Sequence, residues 1–130
     1  MSDKAIFLAA GGTGGHLFPA EALAHALASR RVEVELVTDA RALRYGDVFP
    51  ARAIHTLPAG TPRGGSLIAR AQAVAQLAQG VALAVALFRK RKPRAVIGFG
   101  GYPTVPPILA ATFLGIPAVL HESNGVMGKA

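Results

Sequence analysis

Short apolar runs alternate with helical spacing along this chain, and their order predicts its elements. Ile6, Phe7 and Leu8 form an apolar run bounded by glycines, the pattern of a strand buried on both faces. From about Phe18 to Ser29 the spacing turns helical, with Leu23 and Leu27 one turn apart. Val32, Val34, Leu36 and Val37 mark a second strand, which starts with Glu33 and Glu35 in alternation and closes on Thr38 and Asp39. Residues 41–49 suit a short helix closed by Pro50, and residues 53–57 a third strand. Ser66 is placed to cap a long helix reaching about Lys92. Residues 95–99 read as a fourth strand. Thr104 is the candidate cap of a helix over 105–114, which admits Pro106 and Pro107 in its first turn and ends at Gly115. Residues 116–120 read as a fifth strand, and residues 126–130 begin another element.

Strands separated by helices define an α/β chain, here a Rossmann-like, doubly wound parallel sheet with strand order 3-2-1-4-5. The first and fourth strands are then neighbours at the switch point. The unusual segments all follow strands and so share one edge: the loop 11–16, Asp39, the Pro/Gly-rich segment 58–65, the turn 98–103, and residues 121–125.

The long helix carries no charge between residues 71 and 88, enough apolar length to raise the question of a membrane span. Gln72, Gln76 and Gln79 form one polar stripe, however, and Gly80 weakens the middle. A parallel sheet also needs a crossover between its third and fourth strands, so a helix packed on the sheet is the reading adopted. At its ends, Leu67 and Ile68 lie between Arg63 and Arg70, and Arg89, Lys90, Arg91, Lys92 and Arg94 follow one another. Such cations are ordinary complements of a helix dipole, and equally a seat on an anionic leaflet. Both readings stay open on spacing alone.

Composition narrows the classes. The length suits one domain, and 52% apolar content excludes a disordered chain. The absence of cysteine excludes disulfides and thiolate metal sites. The N-terminus lacks the layout of a signal peptide, since its apolar run is short and leads into glycines. A net charge of +7 fits nucleic acid, anionic lipid or an anionic substrate and by itself decides between none of them. With 6% aromatics there is no base-stacking platform, so phosphate or lipid is expected and nucleic acid is not.

Gly11, Gly12, Gly14 and Gly15 let the backbone approach a ligand at a helix start, where free N–H groups favour phosphate. Leu17 stands where a dinucleotide fingerprint needs its third glycine, and no Gly-Lys-Ser/Thr follows. Two glycine turns at one switch point suit a diphosphate. His16, inside the first loop, can accept a hydroxyl proton as a neutral imidazole. His25 reads as structural and His55 stays undecided. His121 and Glu122 can orient one another or bind metal, but two ligands do not make a site. Asn124 can donate and accept, as recognition of a sugar or uridine requires. Asp39 keeps open a nicotinamide-binding oxidoreductase domain, because an acid ending the second strand can hold ribose hydroxyls.

Four motifs now stand together: Gly11-Gly-Thr-Gly-Gly-His16 with Pro19, Gly98-Phe-Gly-Gly-Tyr-Pro103, Leu114-Gly-Ile-Pro117 and His121-Glu-Ser-Asn-Gly125. In order and spacing they resemble the N-terminal domain of the family 28 GT-B glycosyltransferases that move N-acetylglucosamine from UDP onto lipid I, giving lipid II for peptidoglycan. The resemblance runs from about Lys4 to the last residue. It implies an inverting enzyme without metal or other cofactor, peripheral on the cytoplasmic face of the bacterial membrane. Its partners would be UDP-N-acetylglucosamine, the undecaprenyl-diphosphate-linked lipid I and an anionic membrane surface. By match, His16 is the candidate base. Gly12, Thr13, Gly14 and Gly15 would line the cleft, Gly100, Gly101 and Tyr102 would complete the second loop, and Asn124 would contact the donor. Residues 1–130 would be the acceptor-side domain, with the donor-binding C-terminal domain outside this chain, so the chain alone is expected to be inactive. A split transferase that recruits a separate catalytic subunit is the alternative. Ser123 departs from the His-Glu-Gln-Asn of many relatives, which puts a donor contact from that side chain in question.

Overall fold

In a computed structural model, which describes residues 4–11, 14–40, 49–58 and 64–122, five short strands form one parallel sheet. The elements run β1 (Ile6–Ala9), α1 (Gly14–Ser29), β2 (Val34–Thr38), β3 (Ala53–Thr56), α2 (Leu67–Arg91), β4 (Ala95–Gly98), a 3-10 turn (Tyr102–Thr104), α3 (Val105–Leu114) and β5 (Ala118–Leu120). The strand order β3-β2-β1-β4-β5 is the expected one. Ile6 stands opposite both Val34 and Ala95, so β1 is the central strand. Most of the expected helix 41–49, most of the loop 58–65 and residues 123–130 lie outside the described residues.

Strand period 2 sorts the core into two layers. Leu8, Val34 and Leu36 point to one face, where Leu17, Ala20 and Ala24 of α1 and Phe49 cover them. Phe7, Val37 and Val96 point to the other, against Ala84 and Phe88 of α2 and Ala110 and Ala111 of α3. There Phe7 meets Phe88 edge to face, with centroids 5.2 Å apart, a geometry that adds about 0.5–1.5 kcal/mol beyond area burial. β5 is an exposed edge.

Two boundaries differ from expectation. α1 begins at Gly14 rather than near Phe18. Glycine is a poor helix former, but Leu17 and Ala20 are buried, and their packing sets the helical path from the loop onward. Thr104 does not cap α3 through its side chain. Its hydroxyl instead donates to the Gly101 carbonyl at 2.7 Å, closing the 3-10 turn. The other two caps are as read: Ser66 Oγ accepts from the Ala69 N–H at 3.0 Å, and Gly115 adopts φ 72°.

α2 is held along one stripe, Ala73, Gly80, Ala84 and Phe88, while Gln72, Gln76 and Gln79 face water. By length and composition α2 could cross a membrane, yet its second half is the crossover packed on the sheet. Gly80 has a packing reason. A Cβ there would strike the Pro58 carbonyl oxygen and lie 3.0 Å from Pro106 Cγ, so this is where the chain leaving β3 and the start of α3 close on the helix.

The same face buries a charge. Glu35 is fully buried, with Oε2 3.1 Å from Arg52 Nε and Oε1 2.7 Å from His55 Nε2 and 2.6 Å from Arg91 Nε. His55 also stacks on Phe7, with centroids 5.8 Å apart. Burial by itself raises the Glu35 pKa, but the bonds from Arg91, His55 and Arg52 outweigh it and hold the carboxyl below its ordinary value. The cluster ties the end of α2 to β2 and β3.

Gly80→Ala is expected to destabilise the chain by about 1–3 kcal/mol despite the better helix propensity of alanine, read as a lower denaturant midpoint. Because the folded pKa of Glu35 is lowered, its contribution is present above the ordinary glutamate value near 4.3 and is lost as pH falls through that value toward the folded one. Glu35→Gln should cost on the order of 3 kcal/mol near neutrality, and thermal melts should show a flatter acid limb than wild type.

Candidate active site

The carboxyl ends of β1 and β4 lie side by side, and the chain leaves them toward opposite faces of the sheet. From β1 it runs through Ala10 and Gly11 into α1. From β4 it runs through Phe99, Gly100 and Gly101 into the 3-10 turn and α3. The Phe99 N–H still donates to Ala9 at 2.8 Å, and the Gly11 N–H reaches the Gly100 carbonyl at 3.4 Å. The two glycine turns therefore meet over the switch point, as the strand order required.

His16 joins them. It sits in the first turn of α1, half-buried, with Nδ1 3.1 Å from the Phe99 carbonyl oxygen. A carbonyl oxygen only accepts, so Nδ1 carries the hydrogen, and the neutral ring keeps its lone pair on Nε2. The imidazole lies against the second turn. A Cβ on Gly100 would come within 3.1 Å of the ring, and one on Gly101 within 3.3 Å. Both glycines have positive φ, 101° and 84°, so they supply close approach and a left-handed path together.

Around this contact stand the other residues singled out by spacing. Gly14 and Gly15 open α1, and open space beside Gly15 leaves room at the helix start. Tyr102 begins the 3-10 turn and is exposed. His121 is brought in from the end of β5: its N–H donates to Gly98 at 2.7 Å, and its ring tilts onto Phe99 with centroids 5.2 Å apart. Asp39 follows β2, half-buried. Gly12, Thr13 and Asn124 lie outside the described residues. His55 is drawn away from this edge into the Glu35 cluster, and His25 sits exposed on α1, 3.6 Å from Glu21.

Sequence reasoning missed two groups. The Phe99 carbonyl carries no side-chain signal. Glu35 did carry one: an acid between Val34 and Leu36 on a strand buried on both faces must find cations.

The five-stranded parallel sheet, in the order β3-β2-β1-β4-β5, matches the N-terminal half of GT-B glycosyltransferase structures. The chain belongs to glycosyltransferase family 28, whose N-terminal domain pattern matches residues 6–130. It is 56% identical over its whole length to the UDP-N-acetylglucosamine--N-acetylmuramyl-(pentapeptide) pyrophosphoryl-undecaprenol N-acetylglucosamine transferase of Sinorhizobium fredii, and covers 35% of that protein. Among solved structures, Acinetobacter baumannii MurG superposes with a TM-score of 0.79 at 33% identity, over 97% of this chain and 37% of that one. The calicheamicin glycosyltransferase CalG4 shares the fold, with a TM-score of 0.66 at 19% identity over 98% of this chain and 34% of that one. The chain thus spans about a third of the length of the relatives it matches.

Proposed function

We propose that this chain is the acceptor-side half of an inverting glycosyltransferase that moves N-acetylglucosamine from UDP to lipid I. The observation that carries this reading is the meeting of the two glycine turns through His16. The N–H groups at the start of α1, with Gly12, Thr13, Gly14 and Gly15, hold the acceptor diphosphate from one side, and Gly100, Gly101 and Tyr102 from the other. The acceptor hydroxyl stands within reach of His16 Nε2. As its oxygen bonds to the anomeric carbon of the donor sugar, its proton passes to Nε2, and UDP leaves with the electron pair of the broken C–O bond. Asn124 contacts the donor sugar. A second domain, beyond residue 130 in the relatives, supplies most of the uridine and diphosphate contacts.

The membrane seat is the leading end of α2. Leu67, Ile68 and Val74 are 81%, 73% and 65% exposed, and Arg70 beside them is exposed too. This end follows β3 and so stands at the same carboxyl edge as the glycine turns, where a lipid-linked diphosphate would lie at the cytoplasmic leaflet. The basic run Arg89–Arg94 is at the other end of a 25-residue helix, about 37 Å away at 1.5 Å per residue, and belongs to the amino edge. The two ends do not form one patch.

Fused to the remaining two-thirds or so of the Sinorhizobium fredii relative, the chain should transfer N-acetylglucosamine from UDP to a lipid I analogue, whereas the 130 residues alone should not. His16→Ala in the fusion should lower kcat by about 10²–10⁴-fold. Turnover unchanged by His16→Ala would refute the assignment. In flotation assays, Leu67→Glu with Ile68→Glu should weaken binding to phosphatidylglycerol vesicles at least about tenfold, given roughly 1.5–3 kcal/mol per buried side chain.

A further inference from the structure

Resting on the reading that His16 takes the acceptor's proton, we infer that the second glycine turn is a seat that fixes the tautomer of the His16 imidazole. Phe99, through its carbonyl, and Gly100 and Gly101, through their bare Cα atoms, are positioning residues for proton transfer.

The bond from Nδ1–H to the Phe99 carbonyl, 3.1 Å long, decides which nitrogen is basic. An unrestrained neutral histidine prefers its hydrogen on Nε2, the tautomer that cannot accept a proton there. The carbonyl inverts that preference and leaves the Nε2 lone pair on the side away from Phe99. The ring plane is fixed by the glycines. Cβ atoms built on Gly100 would lie 3.1 Å from both Cε1 and Nδ1, and one on Gly101 would lie 3.3 Å from Cδ2 and 3.5 Å from Nε2. One end of the imidazole thus rests on each glycine, and a Cβ at either position would press on the ring and shift it.

The turn itself cannot drift. The Gly100 carbonyl accepts from the Gly11 N–H at 3.4 Å, and the Gly101 carbonyl accepts from the N–H and hydroxyl of Thr104 at 3.1 and 2.7 Å. With Phe99, all three carbonyls of the turn are committed to donors of the chain. The seat uses those carbonyls and Cα atoms, not the amide N–H groups, so it does not compete with an anion bound at the amides. This gives the paired positive φ values of Gly100 and Gly101 a second purpose beside phosphate approach.

The test is nitrogen-15 NMR of the 130-residue chain, labelled at histidine and recorded where the rings are neutral, with His16→Gln used to assign the His16 signals. Wild type should show His16 with its hydrogen on Nδ1. Gly100→Ala and Gly101→Ala should lose that pattern, moving to the Nε2–H form or to an average of the two. Gly115→Ala is the control for a positive φ: at φ 72° it lies in the left-handed region with open surroundings, and the pattern should stay. A wild-type ring with its hydrogen on Nε2 overturns the proposal, as does a folded Gly101→Ala chain that keeps the Nδ1–H pattern. If neither glycine variant folds, the wild-type spectrum decides. No substrate is present, so a completed chain that failed to transfer sugar would defeat the functional reading and leave the tautomer result intact.

Discussion

Everything in this domain hangs from the parallel pairing of β1 with β2 on one side and β4 on the other. A central strand of four residues, buried on both faces, forces the connections that leave it and its neighbour β4 toward opposite layers. The backbone must part at their carboxyl ends, and into that gap fall the two glycine turns. A site at this place is a consequence of winding direction, since right-handed crossovers on both sides of one strand leave no other opening. His16 then serves as the clasp between two segments 83 positions apart.

The long helix shows how one segment can be apolar without being core. α2 is gripped by the close crossing at Gly80, by Ala84 and Phe88 against the sheet, and by Arg91 on Glu35. These three holds lie in its second half, and Ala73 adds one buried position in the first. The first half extends past the last of them with Leu67, Ile68 and Val74 in the open. Hydropathy averaged over the helix sees one long apolar segment. The contacts divide it into an anchored crossover and a projecting apolar end at the edge that carries the site.

Stability and site are kept on different parts of the sheet. The buried Glu35 cluster gathers its cations from the amino end of β3, from β3 itself and from the end of α2, with little help from the candidate active site. A buried carboxylate held by two arginines and a histidine is costly to form and costlier to break. The carboxyl edge can therefore keep backbone in left-handed turns, where strain is tolerated because the layers beneath it are closed.

Alternating apolar runs, the Ser66 and Gly115 caps and the two glycine turns were legible in the amino-acid order, because each depends on neighbours within a few positions. Strand order followed from them through the rules of parallel winding, and the four motifs in register carried the family. Tertiary contact decided the rest. α1 starts within the glycines because Leu17 and Ala20 must reach the sheet, against local propensity. Thr104 gives up the expected cap for the Gly101 carbonyl. Glu35 and His55, one read as strand alternation and the other left undecided, become partners only when β2 and β3 pair. Which nitrogen of His16 is basic depends on a main-chain oxygen of Phe99, a group that every residue carries and no pattern marks. Local chemistry writes elements and turns, but the state of a side chain is set by whatever the fold places against it.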